Sequence, residues 1–415
     1  MKQFILLVLF AIPCYAQSLD PGSVPRAGVH DLSIKTGSNL NWNPAVLAQP
    51  RIFRWSLELP SVSLATSNNA FSVKFWNEHL AGDQFFTSED KQEILDHIPD
   101  DGWQADAQGS FPLVGFTYNR FGFHATLEGS GHATAPRDLV QLALWGNTVG
   151  LPYSLSDLSG DGQVFADYSA GFGYQFDQTW FPALYFGAGF HFYHGFYLSK
   201  VERSEANLIT TDTSIVGSGV VHIVRSKSGD GVGFDLGGMA VLSDRLQVGL
   251  ALRQIGSRMT WDVDENHQLT FYTDSSGIQP DSLNNDDAIK RAFHTEDFTY
   301  SGGAVETVLP VVIQMNGRYL LHPQWSLLGD LSIRTQESSK GPAGADAGVA
   351  AEYSPLPWLL VQGGLSGGNL WGLRTGLGAG LRFQRYELDF GGAWNGGFLN
   401  SARGMSFGVA HRLKF

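Results

Sequence analysis

Residues 406–415 alternate large side chains with small or charged ones without a break, and this period of two constrains the chain more than any other feature. Phe407, Val409, His411, Leu413 and Phe415 fall on one face of an extended strand, and Ser406, Gly408, Ala410, Arg412 and Lys414 on the other. A helix would scatter both sets around its axis. The period recurs upstream. In residues 183–197 the even positions carry Leu184, Phe186, Ala188, Phe190, Phe192, His194 and Phe196, while the odd positions carry Tyr185, Gly187, Gly189, His191, Tyr193, Gly195 and Tyr197. In residues 372–383, Leu373, Leu377, Leu381 and Phe383 alternate with glycines, Arg374 and Arg382. Next, Tyr386, Leu388 and Phe390 oppose Arg385, Glu387 and Asp389.

Such strands belong either to a dry-cored β-sandwich or to a membrane barrel, whose apolar face meets lipid and whose polar face lines the lumen. Glycine-rich inner faces favour the wet lumen. Composition agrees: of 415 residues, fifty are glycine, 13% are aromatic and only 16% are charged. A mean hydropathy of −0.09 fits a wall that is apolar only at alternate positions. No apolar run past the N-terminus approaches the roughly 20 residues of a membrane helix. A formal net charge of −13 argues against nucleic acid, whose phosphates need a basic surface.

The two ends read as addresses. The final strand, closing on Phe415, resembles the assembly signal of bacterial outer-membrane barrels, which implies the barrel-assembly machinery and outer-membrane lipid as partners. At the other end, Lys2 precedes an apolar run from Phe4 to Ile12, too short to span a bilayer, and Cys14-Tyr15-Ala16 offers small residues for cleavage after Ala16. Removal of residues 1–16 takes away the single cysteine, and with it disulfides, thiolate zinc sites and thiol catalysis.

Tyr118-Asn119-Arg120-Phe121 reads as a tight hairpin turn, and Ser243-Asp244-Arg245 joins two further alternating segments. Counting such segments from Ile52 to Phe415 gives about 14 strands, an even number as such barrels prefer. Polar inserts interrupt them. Thr87-Ser88-Glu89-Asp90 has the form of a capping box ahead of a short amphipathic helix, residues 136–145 form a second, and residues 272–299 read as the longest loop.

The motifs that suggest chemistry are weak. Asp157, Ser159, Asp161 and Gly162 resemble the start of a calcium loop, but its closing position is Tyr168 rather than an acid, so a polar turn is the simpler reading. His191 and His194 lie on opposite faces of one strand and do not share a metal. His124, Thr126 and Glu128 share a face, as ordinary lumen polarity requires. No nucleophile elbow, phosphate loop or zinc-helix motif is present, so neither an enzyme nor a cofactor is expected.

Trp42-Asn43-Pro44-Ala45 lies just ahead of the first barrel strand. At this position it resembles the Asn-Pro-Ala element in the N-terminal hatch of the outer-membrane long-chain fatty-acid channels, the FadL type, and of the PorV type that serves a secretion system. Gly231-Val232-Gly233-Phe234-Asp235-Leu236-Gly237, the turn at Ser243, residues 246–253, then Ile255-Gly256 and Trp261, look like the central hairpin of PorV-type and related uncharacterised barrels. With the helix at residues 88–101 ending in Ile98-Pro99-Asp100-Asp101-Gly102, and the element at residues 136–147, the order resembles an uncharacterised family of unknown function in that superfamily. The resemblance implies an outer-membrane barrel and, as cargo, hydrophobic or amphipathic small molecules, or alternatively secretion-system proteins bound by the loops.

The expectation is thus an all-β chain: a signal peptide at residues 1–16, a hatch-like segment at 17–51 carrying Asn43, Pro44 and Ala45, and a transmembrane antiparallel barrel at 52–415. Tyr185, Tyr193, Tyr197, Arg374, Arg382, Arg385, Glu387 and Asp389 are expected to face the lumen, and Phe407, Val409, His411, Leu413 and Phe415 to form the assembly signal.

Overall fold

The computed structural model describes residues 19–50, 53–81, 86–273, 293–336, 343–369 and 372–415. The expected signal peptide lies outside the described residues. Fourteen antiparallel strands close a ring: Trp55–Asn68, Trp103–Tyr118, Phe121–Ala135, Ser159–Phe176, Ala183–Thr210, Ser228–Val241, Leu246–Asp262, Val312–His322, Trp325–Arg334, Gly344–Leu356, Leu359–Gly368, Arg374–Arg382, Tyr386–Asn395 and Gly404–Lys414. Ring closure pairs the last with the first, Ser56 opposite Lys414 and Leu64 opposite Phe407. The ladder therefore has no free edge there, which is what a chain needs where no water can satisfy its backbone.

The two ends of the barrel differ. At one end strands meet in short turns, such as Asn119-Arg120, where Asn119 takes a left-handed φ of 52°. At the other end, residues 69–102 carry the helix Ser88–His97 and residues 136–158 the helix Arg137–Trp145. These helices pack on one apolar cluster, in which Phe71, Phe75, Ile94 and Ile98 contact Val140 and Leu144.

Ala183–Thr210 has 28 residues, where about 9–11 suffice to cross a bilayer. Its first half pairs with Ser228–Val241 and its second half with Ile215–Ser226, which pairs onward to Glu265–Thr273 and then to Phe293–Tyr300. A sheet therefore projects beyond the barrel on the long-connection side. The loop expected at residues 272–299 is corrected here: its flanks form a ladder from Asn266 opposite Tyr300 to Thr273 opposite Phe293, and residues 274–292 lie outside the described residues.

The outer face is apolar, with Phe190, Phe234, Leu236, Leu250, Leu377 and Phe407 among its exposed side chains. Trp55, Trp180, Trp325 and Trp358 are exposed around the short-turn end, the position of an interfacial aromatic belt. Pairing between Trp55–Asn68 and Trp103–Tyr118 lapses between Glu58 opposite Gly115 and Ser63 opposite Ser110. Pro60 and Pro112 lie in that interval, and neither has an N–H to give to a ladder.

Candidate functional site: the hatched lumen

The N-terminal segment runs inside the barrel as three single-turn helices, Val24–Arg26, Gly37–Asn41 and Pro44–Ala48, each with its residues almost wholly buried. Sequence explains the third. Asn43 is extended and its side chain accepts the Ala45 N–H at 3.0 Å, while Pro44 supplies a preset φ at the first helical position. The Asn43 amide also donates to the Gly238 carbonyl at 3.3 Å, tying the turn to the wall.

Glycine makes this seat. A Cβ at Gly187 would lie 2.3 Å from the Pro44 carbonyl carbon, one at Gly173 2.3 Å from the Ala48 nitrogen, and one at Gly237 2.2 Å from Asn43 Oδ1. On the opposite wall, a Cβ at Gly364 would lie 2.4 Å from the Arg26 oxygen and one at Gly408 2.5 Å from the Pro21 oxygen. The glycine-rich inner faces therefore hold backbone against backbone. These inner-face glycines are where the hatch is received.

Between the two seats the contacts are ionic. Arg26, buried, donates through Nη1 to Glu352 at 3.0 Å and to Gln362 at 2.8 Å. His30 Nδ1 lies 2.9 Å from Asp330, and Asp31 pairs with Arg318 at 3.2 Å. Leu32, Trp42, Ala45, Val46 and Ala48 form an apolar cluster with Tyr185 and Met239. A cavity of about 80 Å³ remains between residues 19–30 and the wall, lined by Arg253, Asp330, Asp346 and Arg374 among others. It has room for a handful of waters.

Tyr185 thus packs on the hatch, and Tyr193, 1% exposed, packs higher in the barrel against Phe165, Leu198, Met259 and Trp261. Tyr197 is corrected: it is 42% exposed on the outer face. The cause is a bulge, since Val164 pairs with Tyr197 but Phe165 with Gly195, so one extra residue inverts the faces and sends Leu198 inward. Arg374 is buried and inward, with Nη1 2.9 Å from where a Cβ of Gly28 would stand. Arg382, Glu387 and Asp389 meet in one cluster with Arg412 and Lys414, Arg382 Nη2 reaching Asp389 at 2.5 Å. Arg385 is corrected as well: it sits exposed in the turn before Tyr386–Asn395, because the alternation that assigned its face ends with the strand.

His191 bridges two buried acids, Nδ1 at 3.0 Å from Asp167 and Nε2 at 3.4 Å from Asp235, whereas His194 meets Asp230. His124 contacts the hatch through Asn41 at 3.2 Å and lies 3.8 Å from Glu58. Among the described residues no group of three or more His, Cys, Asp or Glu is placed to hold a metal ion. Along the final strand Phe407 and Phe415 are exposed, and Val409, His411 and Leu413 are partly so.

Sequence reading gave Trp261 only a place in the central-hairpin resemblance, not its burial inside the barrel. Its ring lies across Gly229 and Gly195, donates Nε1–H to Thr307 at 2.9 Å and is fully buried with Leu309. The signal was the glycine pair on two strands paired with each other, legible only once their register is known.

A model described as a family of unknown function, DUF5723, matches residues 44–228 and 220–390. The chain belongs to this family. Among solved structures, it is similar in fold to the toluene transporter TodX of P. putida, with 12% identity, a TM-score of 0.57 and coverage of 96% of this chain and 99% of that one. It is likewise similar to a Pseudomonas aeruginosa FadL homologue, at 12% identity and a TM-score of 0.56 over 97% and 100% of the two chains. The Ralstonia pickettii toluene transporter TbuX gives 13% identity and a TM-score of 0.52 over 98% and 100%. No curated protein matches the sequence.

Proposed function

We propose that this protein is an outer-membrane channel for hydrophobic or amphipathic small molecules, held closed by its N-terminal segment. The observation that carries the reading is the hatch itself: a separately seated segment fills the lumen of a ring whose strands already satisfy one another. The similar structures named as toluene transporters and as a FadL homologue support a small apolar cargo. In this reading residues 1–16 direct export and the final strand directs assembly into the outer membrane. Passage requires the hatch to leave at least one seat, and the ionic contacts of Arg26, His30 and Asp31 are the ones that water can replace.

The test is deletion of residues 19–49 behind an intact leader, followed by reconstitution in planar bilayers and in liposomes to which a hydrophobic probe is added from outside. A ring that closes its own ladder should assemble without the segment. Conductance and probe uptake should rise from near zero to clearly measurable. Unchanged conductance in a heat-modifiable, assembled deletion variant would overturn the reading.

One observation favours a second role, that of an assembly or secretion partner. The sheet built on residues 198–226, 265–273 and 293–300 stands clear of the barrel and offers a surface to other proteins. Removing residues 202–223 and 264–301 together should then abolish capture of a secreted protein while leaving probe uptake intact.

A further inference from the structure

Two hollows meet on the rim at the short-turn end. One, of about 320 Å³, lies beside the closing seam and is lined by Trp55, Ser56, Leu57, Phe116 and Phe415. The other, of about 690 Å³, is lined by the end of the hatch together with Phe53, Arg54, Arg120 and Gln175. They adjoin at the consecutive residues Arg54 and Trp55. Among the described residues neither is lined by an acidic side chain, in a chain whose formal net charge is −13.

The two guanidiniums are held in place. Arg54 lies 5.4 Å from the centre of the Tyr118 ring, and Arg120 lies 5.9 Å from that of Tyr174. Such stacking fixes a cation while leaving its N–H groups free to face a phosphate. Trp55 in turn packs on Phe116 at 5.0 Å and on Tyr118 at 4.7 Å, so the cationic and apolar parts share one aromatic floor. Tyr174 is exposed on the outer face, where the wall meets lipid.

We propose that this rim is a binding site for one anionic phospholipid, its phosphate on Arg54 and Arg120 and an acyl chain in the groove of Trp55, Leu57, Phe116 and Phe415. The charge of the upper part and the lack of charge in the lower part match the two halves of that molecule and of no fully soluble anion. The cationic hollow opens on the rim beside the end of the hatch, and the apolar groove opens beside the closing seam. A lipid there would bridge the first strand, the last residue and the hairpin at Asn119, the place where the ring is sealed.

The experiment uses the full-length barrel in detergent, mixed with equal amounts of phosphatidylglycerol and phosphatidylcholine of identical chains, with retained lipid counted by native mass spectrometry. Wild type should retain phosphatidylglycerol preferentially. The double variant R54Q/R120Q should lose that retention by about 25-fold, taking about 5-fold per interfacial guanidinium, with phosphatidylcholine unchanged. Leu57→Trp, which fills the groove, should lower retention of both lipids. Arg245→Gln, in a different short turn, should change neither. Equal retention of both lipids by wild type, an unchanged R54Q/R120Q, or an equal loss in Arg245→Gln overturns the proposal. If the double variant fails to fold, rising salt on wild type reads the same interaction: selective loss of phosphatidylglycerol supports it, and a salt-independent preference refutes it.

Discussion

A Cβ at Gly187 would stand 2.3 Å from the carbonyl carbon of Pro44, closer than real Cβ atoms come to backbone. The wall strand and the hatch turn therefore require each other's shape. Gly187→Val should leave the ring assembled but unseat residues 43–48, at a cost of about 1–3 kcal/mol for an overpacked contact. Limited proteolysis of the reconstituted barrel should cut the hatch of the variant and spare that of wild type. Gly317→Val, where no atom lies within 4 Å of the added Cβ, is the matched control. Equal protection of all three proteins would show that the seat has slack.

The period-two pattern carries most of the wall, because a strand's facing depends on local alternation alone. It fails where alternation is interrupted. Tyr197 lies beyond the bulge at Gly195 and Phe196, and Arg385 lies beyond the end of its strand; neither irregularity has a mark in a single sequence. The turn at Asn43 and Pro44 was legible from the side chain and ring that shape it, and its place in a hatch only through the family resemblance. Its partners were not, since Arg26 and Glu352 are 326 residues apart and nothing local requires them to meet. Glycines on an inner face mean either an empty lumen or a tightly filled one, and only the contacts distinguish the two.

Facing can be tested on adjacent residues. Phe190 is exposed on the outer face, and Phe190→Arg should cost about 2–4 kcal/mol if it lies near the bilayer midplane. Gly189 is inward, and a Cβ there would meet Asp235 at 3.5 Å and Leu40 at 3.6 Å, ordinary contact distances. Gly189→Ser should therefore cost less than about 1 kcal/mol. Unfolding titrations in lipid vesicles measure both. The reverse order would mean the register is wrong by one residue.

Arg26 supplies the hatch with a buried cation bonded to Glu352 and Gln362. Arg26→Met leaves the Glu352 carboxylate buried without its partner, a change that typically costs about 3–5 kcal/mol. Hydrogen exchange across residues 22–31 should accelerate, while the strand Leu359–Gly368 keeps its protection. Adding Glu352→Gln should restore much of the loss, because the stranded charge is gone. Failure of that rescue would show that packing, rather than the ion pair, holds this end of the hatch.

The helix Ser88–His97 gives a pH dependence outside the membrane-spanning strands. Asp90 Oδ2 accepts the Thr87 backbone N–H at 2.9 Å and the Thr87 hydroxyl at 2.8 Å, and these bonds, with His79 nearby, hold the Asp90 carboxyl below its ordinary value. A carboxylate lowered in the folded state contributes stability that is complete above its unfolded value, about 3.9, and is lost as pH falls through the lower folded value. Helix exchange protection, corrected for intrinsic rates, should stay level from neutral pH down to that region and then drop. Asp90→Asn should flatten the drop. A decline that persists unchanged in Asp90→Asn would show that this carboxyl does not carry the effect.

Asp389 anchors the closing seam from inside. Fully buried, it bonds Arg382 at 2.5 Å, receives Gln362 Nε2 at 2.9 Å and accepts a short hydrogen bond from Arg412 on the last strand. Asp389→Asn keeps the shape but removes the charge that offsets two guanidiniums, and breaking such a buried pair costs about 3–5 kcal/mol. The last strand is the element that closes the ring, so the loss should appear as a reduced heat-modifiable fraction after refolding into vesicles. Phe415→Ser acts on the outer face of the same strand, where it removes apolar contact without disturbing the ionic cluster. If both variants fail in refolding with purified components, the seam itself is weak. If Phe415→Ser fails only in cells while Asp389→Asn fails in both settings, the terminal residue acts through the assembly machinery and Asp389 through the intrinsic stability of the closed ring.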